Sequence, residues 1–361
     1  MKIKAYGVLG LGSGLEPVSI DRRPVGADDV EIDILYCGIC HSDLHQVRAE
    51  TSWLAYPLVP GHEIVGRVKA VGRRVTRFSV GDLVGVGCLV GSCKRCSECD
   101  DGLEQFCEGP ATFTYGSPSA DAPGHTLGGY SQRIVVDEAF VLKIRHPESM
   151  LAATAPLLCA GITMYSPLRH AKIGPGAKVG IVGVGGLGHI GIKLARAMGA
   201  HVVGLTTSEG KRDEILELGA HEVVLWKEEG ALARLAGRLD LIIDTVSTSH
   251  NLDPLINLLR RDGKLMLIGV PDRPHDSPDV WGIVSKRRSV TGSLIGGIAE
   301  TQEMLDFCFR HGIVADVEMI NTSDIASAFE RMDRSDVKYR FVIDISTFAS
   351  EADTARADIT G

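Results

Sequence analysis

The sequence has no excess of basic residues and no long apolar run. Its 38 Lys and Arg residues are outnumbered by 46 Asp and Glu residues, which gives a formal net charge of −8. Surfaces that bind nucleic acid are basic and clustered, so we expect no nucleic-acid partner. A membrane-spanning helix needs about 18 or more apolar residues in succession. We find no such run without a charge, and we expect no membrane partner.

The chain also shows no apolar segment in its first residues, so no secretory signal is visible and we expect a cytoplasmic protein. Nine cysteines are an odd number, and a reducing compartment argues against a disulfide framework. The length of 361 residues favours two domains. The 44% hydrophobic and 23% charged residues are typical of a globular protein with enough apolar material for two cores.

The two halves of the chain have different patterns. In the first half, residues 30–37 and 64–71 alternate apolar and polar side chains, which predicts half-buried strands of a β-rich, partly barrel-like unit. From about Ala177, strands and helices alternate, which predicts an α/β unit with a parallel sheet covered by helices on both faces. The predicted strands of this second half lie at about 179–182, 201–205, 223–225, 241–243 and 264–268.

The sequence also predicts the local structure of three further segments. Residues 151–168 are apolar and helix-like, although Pro156 and Gly161 interrupt them. Residues 337–344 alternate like a strand, and we expect this strand to return to the first domain. The residues from 348 to 361 are small, polar and charged, and we expect a disordered tail.

A glycine-rich turn follows the first strand of the second half. Residues 183–188 match G-x-G-x-x-G between an apolar strand and a helix, which is the context that supports a dinucleotide site. Such glycines let the backbone turn tightly and approach a pyrophosphate at the helix N-terminus. The predicted contacts with the cofactor are Gly183, Gly185, Gly186, Leu187 and Gly188. A tight turn without a ligand is the alternative interpretation.

The end of the next predicted strand bears on which cofactor is bound. An NAD site places an acidic residue there to bond the ribose 2′-hydroxyl. At this place the sequence has hydroxyl and cationic side chains instead, which favour binding of the 2′-phosphate of NADP(H). These predicted contacts are Thr206, Thr207, Ser208, Lys211 and Arg212. Because Glu209 lies close by, NAD is the alternative cofactor. The alternative role of Lys211 and Arg212 is to form the solvent-exposed start of a helix.

Four cysteines lie within fifteen positions, at Cys93, Cys96, Cys99 and Cys107. Four soft ligands with no open position predict a structural zinc site. The segment around them is too polar to form a core, so a metal would supply its folding energy. An iron–sulfur cluster and a set of core cysteines without a metal are the alternatives.

A second, dispersed set predicts a catalytic zinc site. Cys40 follows a predicted strand, His62 and Glu63 precede another, and Cys159 lies in the apolar helical segment. Three protein ligands with an open fourth position are the catalytic arrangement of zinc, and two cysteines with one histidine are its alcohol dehydrogenase version. A lone His62 would more often be a hydrogen-bonded structural histidine, so the prediction depends on the joint pattern.

These motifs resemble the zinc-containing medium-chain dehydrogenases, in the cinnamyl-alcohol-dehydrogenase-like branch that includes bacterial NADP-dependent broad-range aldehyde reductases. The resemblance extends from about residue 2 to about residue 345. The motifs that carry it are GICHSDLHQ, PLVPGHEIVG, GDLVGVG, CKRCSEC, HTLGGYS, PLLCAGITMYSPL, GVGGLGHIGIKLA and GSLIGG.

The resemblance implies two zinc ions per chain and a fold of two domains. It implies a zinc-binding, GroES-like catalytic domain at 1–152 and 296–347, and a Rossmann domain at 153–295. It makes Cys40, His62 and Cys159 the catalytic zinc ligands, with Glu63 as a ligand that can replace water. It also implies further cofactor contacts at Thr163, Thr245, Gly269, Ser293, Leu294 and Ile295, and a homodimer formed through the cofactor domains.

The implied reaction interconverts primary alcohols and aldehydes with NADP(H). It requires a path for a proton. Ser42 lies two residues after Cys40, and His45 lies three residues beyond Ser42, which is about one helical turn. We expect these two to form a proton relay, with Asp43 bonded to the far nitrogen of His62. The alternatives are a surface role for His45, an NAD-dependent polyol or formaldehyde-type dehydrogenase, and a non-catalytic zinc module that binds a partner.

Overall fold

The computed structural model describes residues 1–50, 55–120, 123–228, 230–271 and 273–348. The chain forms two compact units. The first contains Met1–Cys159, Gly297–Leu305 and the residues from Val314 onward, and the second contains Ala160–Gly296 and Asp306–Ile313. The predicted tail at 348–361 lies, beyond Phe348, outside the described residues.

Seventeen strands occur among the described residues. They are Lys2–Gly7 (β1), Glu16–Asp21 (β2), Asp29–Gly38 (β3), Ile64–Val71 (β4), Leu83–Val86 (β5), Leu89–Gly91 (β6), Thr112–Phe113 (β7), Arg133–Asp137 (β8), Leu142–Lys143 (β9), Lys178–Val182 (β10), His201–Thr206 (β11), Glu222–Leu225 (β12), Leu239–Asp244 (β13), Leu259–Leu267 (β14), Ser289–Gly292 (β15), Val317–Asn321 (β16) and Arg340–Asp344 (β17).

Eleven α-helices and seven 3₁₀ helices complete the described elements. The α-helices are His41–Val47 (α1), Ser97–Asp100 (α2), Leu151–Thr154 (α3), Ala160–His170 (α4), Gly188–Ala197 (α5), Arg212–Glu217 (α6), Ala231–Arg234 (α7), Asp253–Leu258 (α8), Val280–Val284 (α9), Ile298–His311 (α10) and Ile325–Asp333 (α11). The 3₁₀ helices are Glu104–Phe106, Glu138–Phe140, Glu148–Met150, Ala155–Leu158, Glu209–Lys211, Thr322–Asp324 and Ile345–Thr347.

The first unit is built on a seven-stranded sheet in the order β16-β17-β3-β4-β5-β9, with β8 also paired to β3. The strands that bear on the site, β17, β3, β4 and β5, are antiparallel neighbours. Alternate residues of β3, such as Val30, Ile32 and Ile34, are buried, as the periodicity predicts. The predicted strand near 337–344 is confirmed as β17, which pairs with β3 through Val342 and Gly38.

The second unit is built on a six-stranded sheet in the order β12-β11-β10-β13-β14-β15, and every neighbouring pair is parallel. The predicted alternation of strands and helices is therefore confirmed. Because the chain leaves β10 for β11 on one side and later returns to β13 on the other, the order reverses at β10. Open parallel sheets bind ligands at the carboxyl ends of the strands beside such a reversal.

The apolar segment at 151–168 is not one helix. Helix α3 passes into the 3₁₀ helix Ala155–Leu158, and α4 begins after Cys159. Among the described residues, no single helix is long and apolar enough to cross a membrane. The helical segments Glu148–Leu158 and Ala160–His170 meet the length and composition test only as a bent pair, and α4 is mostly buried, as in a core helix.

Candidate active site and metal centres

The four closely spaced cysteines meet at one point. Their sulfur atoms lie within 4.8 Å of one another, and three of the separations are 3.5, 3.9 and 3.9 Å. Four sulfurs placed about 2.3 Å from one zinc ion in tetrahedral geometry are about 3.8 Å apart. The donor set of Cys93, Cys96, Cys99 and Cys107 therefore fits a closed structural zinc site.

The surroundings of the four thiols lower the pKa of one of them and raise that of another. The N–H of Arg95 and the Cys107 thiol bond to Cys93 and lower the pKa of its thiol to about 6. The lobe is fastened to α10, because Glu104 Oε2 accepts from the N–H of Ile298 at 2.9 Å. The Cys93 N–H lowers the pKa of Cys107, but burial and the neighbouring thiols outweigh it and raise that pKa to about 11. Thiolates are the form that binds metal, so the case for zinc here rests on the geometry and the donor set.

The dispersed residues converge as well. Ligand atoms of Cys40, His62, Glu63 and Cys159 lie within 4.8 Å of one another, and the two sulfurs are 3.9 Å apart. Cys40 caps α1 directly after β3, and His62 and Glu63 directly precede β4, which pairs with β3. Cys159 lies at the break before α4. The fold thus brings together residues up to 119 positions apart, and their donors suit zinc.

The carboxylate of Asp43 organises this cluster. It is fully buried, and it accepts from the N–H groups of Cys40 at 2.9 Å and Gly61 at 3.0 Å, and from the hydroxyl of Tyr130 at 3.0 Å. His62 Nδ1 lies 3.3 Å from Asp43 Oδ1, as the sequence predicts. Although burial opposes a charge on the imidazole, Asp43 raises the pKa of His62 well above its usual value. This contact leaves Nε2 of His62 as the nitrogen for a metal.

Glu63 is held by an arginine from the end of the chain. Arg340, at the start of β17, forms a buried ion pair with Glu63 Oε1. Burial raises the pKa of Glu63 to about 8, and the guanidinium opposes that rise. The second oxygen, Oε2, is buried and has no hydrogen-bond partner among the described residues. An oxygen without a partner in a cluster of metal ligands fits the predicted exchangeable ligand.

The residues of the predicted proton relay lie on α1. The Ser42 hydroxyl oxygen is 3.6 Å from the sulfur of Cys40, and Ser42 is exposed. His45 is half exposed, and its Nδ1 lies 2.6 Å from a carboxylate oxygen of Glu50. The structure therefore adds Glu50 as a partner of His45 that the sequence does not predict. The relay itself stays a prediction.

The glycine-rich turn joins β10 to α5 with little free space. Gly183 has a positive φ of 80°, and a Cβ there would lie 2.7 Å from the hydroxyl oxygen of Thr245. A Cβ at Gly188 would lie 2.1 Å from the carbonyl oxygen of Gly183. Nothing lies within 4 Å of a Cβ at Gly185, so this side of the turn is open to a ligand. Gly186 and Leu187 complete the turn before α5.

The predicted 2′-phosphate residues follow β11. Thr207 and Ser208 are exposed, whereas Thr206 is buried and its hydroxyl accepts from the Ser208 N–H at 3.2 Å. Lys211 donates from Nζ to the carbonyl oxygen of Val184, in the glycine-rich turn, at 3.2 Å. Arg212 is directed elsewhere, and its guanidinium lies 3.4 Å from the Val223 carbonyl oxygen. The structure therefore brings Lys211 to the turn, but it places Arg212 against β12.

The remaining predicted cofactor residues are spread over the second unit. The Thr245 hydroxyl donates to the carbonyl oxygens of Val182 at 2.8 Å and Gly183 at 2.9 Å. The Gly269 N–H bonds to the Asp244 carbonyl oxygen at 3.1 Å. The other residues lie on α4 or directly after β15, where Leu294 is exposed and Ile295 is buried: Thr163, Ser293, Leu294 and Ile295.

The parallel sheet with its glycine-rich turn, together with two sets of zinc-type ligands, defines a zinc-dependent dehydrogenase. Comparison with known proteins gives the same class. The alcohol dehydrogenase GroES-like domain matches residues 26–146, and the zinc-binding dehydrogenase domain matches residues 186–310.

Individual relatives are similar over nearly the whole chain. Aldehyde reductase YahK of Escherichia coli (strain K12) is 61% identical over 347 residues, which cover 96% of this chain and 99% of that protein. The structure of cinnamyl alcohol dehydrogenase SbCAD4 from Sorghum bicolor is 40% identical with a TM-score of 0.91, covering 97% and 99% of the two chains. CAD from Helicobacter pylori, complexed with NADP(H), is 40% identical with a TM-score of 0.87, covering 96% and 99%. The chain belongs to the zinc-containing medium-chain alcohol dehydrogenases, in the cinnamyl-alcohol-dehydrogenase-like branch.

Four residues near the dispersed cluster are not predicted from the sequence. Tyr115 lies with its ring 5.7 Å from that of His62. The thiol of Cys88 donates to the carbonyl oxygen of Leu158 at 3.9 Å, directly before Cys159 in the chain. Arg340 lies 277 positions from Glu63 in the sequence, and its local sequence is that of a charged residue in a strand. Of these residues, Tyr130 is the one that a sequence motif contains, because it lies in HTLGGYS. The motif alone does not assign a role to Tyr130.

Proposed function

We propose that this enzyme is a zinc-dependent, NADP(H)-dependent alcohol dehydrogenase and aldehyde reductase that interconverts primary alcohols and aldehydes of broad aliphatic and aromatic range. The observation that carries the proposal is the convergence of Cys40, His62 and Cys159 on one point, with Glu63 beside them. Two cysteines and a histidine leave a position of a tetrahedral ion open to a substrate oxygen.

In this proposal Cys40, His62 and Cys159 hold the catalytic zinc, and Glu63 is the ligand that replaces water. Bound there, zinc supplies Lewis-acid polarisation of the substrate oxygen, and the nicotinamide supplies or accepts the hydride. The buried Asp43 fixes the orientation of His62, and Arg340 holds Glu63 by one oxygen. The four cysteines of the lobe hold the structural zinc.

We propose that a proton passes between the substrate oxygen and solvent through the Ser42 hydroxyl and the imidazole of His45. The position of the Ser42 hydroxyl, 3.6 Å from the sulfur of Cys40, supports this role. The Glu50 carboxylate lies 2.6 Å from Nδ1 of His45 and can orient its imidazole. Ser42→Ala should lower kcat by about 10²-fold, with little change in the Kd for NADPH. His45→Ala should lower kcat less and recover in part with added imidazole. Near-normal kcat in both variants would exclude this route.

The proposed domain assignment gives residues 1–152 and 296–347 the structural zinc and the catalytic ligands Cys40, His62 and Glu63. Residues 153–295 then supply the cofactor site and the remaining catalytic ligand, Cys159. The turn at 183–188 would hold the pyrophosphate, and the hydroxyls of Thr207 and Ser208 with the Lys211 ammonium would hold the 2′-phosphate. The contact between Lys211 and the turn supports this assignment. Glu209, exposed in the 3₁₀ helix after β11, is the observation that favours the alternative of an NAD-dependent polyol or formaldehyde-type enzyme.

One experiment tests the main proposal. Aliphatic and aromatic aldehydes and alcohols, with mannitol and formaldehyde among them, are assayed with NADPH and NADH in parallel. We expect reduction of several aldehydes with NADPH preferred. A preference for NADH with polyols would select the alternative enzyme, and no turnover by the zinc-loaded protein would select a non-catalytic zinc module.

We propose a cytoplasmic homodimer joined through the cofactor units. All four residues of the edge strand β15 are exposed, and unpaired strand edges bind other strands. Apolar side chains of α9 are exposed on the same unit, with Trp281 at 72% and Val280 at 66%. Trp281→Glu should convert the dimer to a monomer in light scattering. None of the nine cysteines is paired in a disulfide in the described part of the chain, which supports a reducing compartment.

A further inference from the structure

A segment of irregular backbone lies in the interior of the first unit. Residues 127–131 lie outside the helices and strands, and yet all five are buried. Buried backbone groups need hydrogen-bond partners, and a segment outside a helix or sheet must obtain them from side chains or from neighbouring loops. The partners of residues 127–131 therefore determine where this segment lies.

One side chain supplies several of these partners. Arg22 directly follows β2, and its guanidinium donates to the carbonyl oxygens of Leu127 at 2.6 Å and Gly128 at 2.7 Å. The same group donates to the hydroxyl of Ser131 at 2.8 Å and to the carbonyl oxygen of Arg133 at 2.9 Å. All four acceptors are neutral oxygens. A guanidinium can span them because its N–H groups point in several fixed directions.

The other side of the segment is bonded to the residues that directly precede His62. The N–H groups of residues 128, 129 and 130 donate to three carbonyl oxygens, at 2.7, 2.8 and 3.0 Å, respectively. These acceptors belong to Val59, Gly61 and Pro60. The segment therefore connects the arginine to the backbone that carries a predicted zinc ligand.

The segment and residues 59–61 fit together without spare room. A Cβ at Gly61 would lie 2.6 Å from the ring of Tyr130, and a Cβ at Gly128 would lie 2.6 Å from the carbonyl oxygen of Gly61. Close-packed groups transmit a displacement to their neighbours. A shift of residues 127–131 would therefore displace the backbone before His62.

A second connection leads from the same segment to His62. Tyr130 is fully buried, and its hydroxyl donates to Oδ2 of Asp43 at 3.0 Å. The other oxygen of Asp43 lies 3.3 Å from Nδ1 of His62 and accepts from the N–H of Gly61 at 3.0 Å. The segment thus reaches His62 through the backbone that precedes it and through the carboxylate that orients it.

We propose that Arg22 is a positioning residue for the catalytic zinc, because it holds residues 127–131 and thereby keeps the imidazole of His62 in its metal-binding orientation. This inference rests on the proposed assignment of that zinc to Cys40, His62 and Cys159. Without the guanidinium, the buried carbonyl oxygens of the segment lose a charged donor, which is costly. The segment then moves to reach water or other donors, and His62 moves with it.

The test is the loss of zinc from the zinc-loaded enzyme to an excess of EDTA, followed over time by native mass spectrometry. Cys159→Ala identifies the catalytic site, since the zinc that this variant lacks is the catalytic one. Arg22→Met should release catalytic zinc about 10-fold faster than wild type, at the lower end of what the partners of a metal-bound histidine contribute. The structural zinc should leave at the wild-type rate. Arg22→Lys should lie between the two, because one ammonium replaces only some of the donors.

Arg23→Met is the matched control. Arg23 is the next residue in the chain, but its guanidinium binds the carboxylate of Asp29, which is 7% exposed, with one bond of 2.8 Å. Loss of a partner for a buried carboxylate should lower the melting temperature. It should leave the release of catalytic zinc within about 2-fold of wild type, because sites without shared partners act independently.

Two results would overturn the inference. One is that Arg22→Met releases catalytic zinc at the rate of Arg23→Met. The other is that Arg22→Met releases both zinc ions at equally raised rates, which would indicate a general loosening of the unit. If Arg22→Met does not accumulate, Arg22→Lys decides by the same comparison. A wild-type protein that holds only the structural zinc would instead refute the proposed catalytic site.

Discussion

Replacing Asp43 with alanine should destabilise the first unit far more than the loss of an ordinary carboxylate. The side chain is 0% exposed and accepts from two backbone N–H groups and the hydroxyl of Tyr130, at 2.9 to 3.0 Å. Each buried donor left without an acceptor costs about 1–3 kcal/mol, so three donors set the loss at about 3 kcal/mol or more. For a unit of this size the melting temperature should fall by about 6 °C or more.

The same change should weaken zinc binding at the dispersed cluster, because His62 loses the group that orients it. Partners of this kind contribute about 10- to 100-fold to metal affinity. We would measure melting temperature and zinc per chain after dialysis against a chelator. The control is Asp28→Ala, which removes an exposed carboxylate paired with Arg74 and should cost less than about 1 kcal/mol.

Two results would show that this reasoning is wrong. If Asp43→Ala melted within a degree or two of Asp28→Ala, the three donors would not depend on this carboxylate. If it lost stability but retained both zinc ions against the chelator, Asp43 would support the fold without fixing His62. Should Asp43→Ala fail to accumulate, Tyr130→Phe tests one bond alone, and we expect it to cost about 1 kcal/mol.

Three further predictions concern the two metal sites and the cofactor. Cys107→Ser should lose one zinc per chain and lower the melting temperature, since a four-thiolate site does not tolerate a missing ligand; unchanged zinc content by mass spectrometry of the native protein would contradict the assignment. Cys159→Ala should abolish turnover and keep NADPH binding, and more than about a tenth of the wild-type rate would exclude zinc catalysis at this site. Ser208→Asp with Lys211→Ala should shift preference from NADPH towards NADH in steady-state assays, because a carboxylate repels the 2′-phosphate.

The features that the sequence predicts well are those with a local cause. The glycines from Gly183 to Gly188 and the four cysteines of the lobe lie within single short segments, so their spacing reports their geometry directly. The strands at 30–37 and 64–71 are also found where the periodicity places them, as parts of β3 and β4. The segment at 151–168 is helix-like and interrupted, as expected, and Pro156 lies in the interrupting 3₁₀ helix Ala155–Leu158. Gly161, the second expected interruption, lies inside α4 instead.

Other contacts depend on tertiary structure that no local pattern reports. Arg340 meets Glu63 because β17 joins the sheet beside β3, and nothing in the sequence around either residue specifies that pairing. The same applies to Arg22, whose contacts with Leu127 and Gly128 result from the path of a loop. For Arg212 the local pattern and the structure point in different directions. Its position after β11 suggests a contact with the 2′-phosphate, whereas its guanidinium contacts β12.

The place of β17 has a consequence for synthesis on the ribosome. The second unit is encoded inside the first, so all of its strands are translated before Arg340 emerges. Until then, the nascent first unit contains the Glu63 carboxylate without its cation, and its sheet lacks the strand that borders β3. A buried charge without a partner is strongly destabilising. We therefore expect the inserted unit to mature first and the ligand cluster to close last, so a chain released before residue 340 would be a target for degradation.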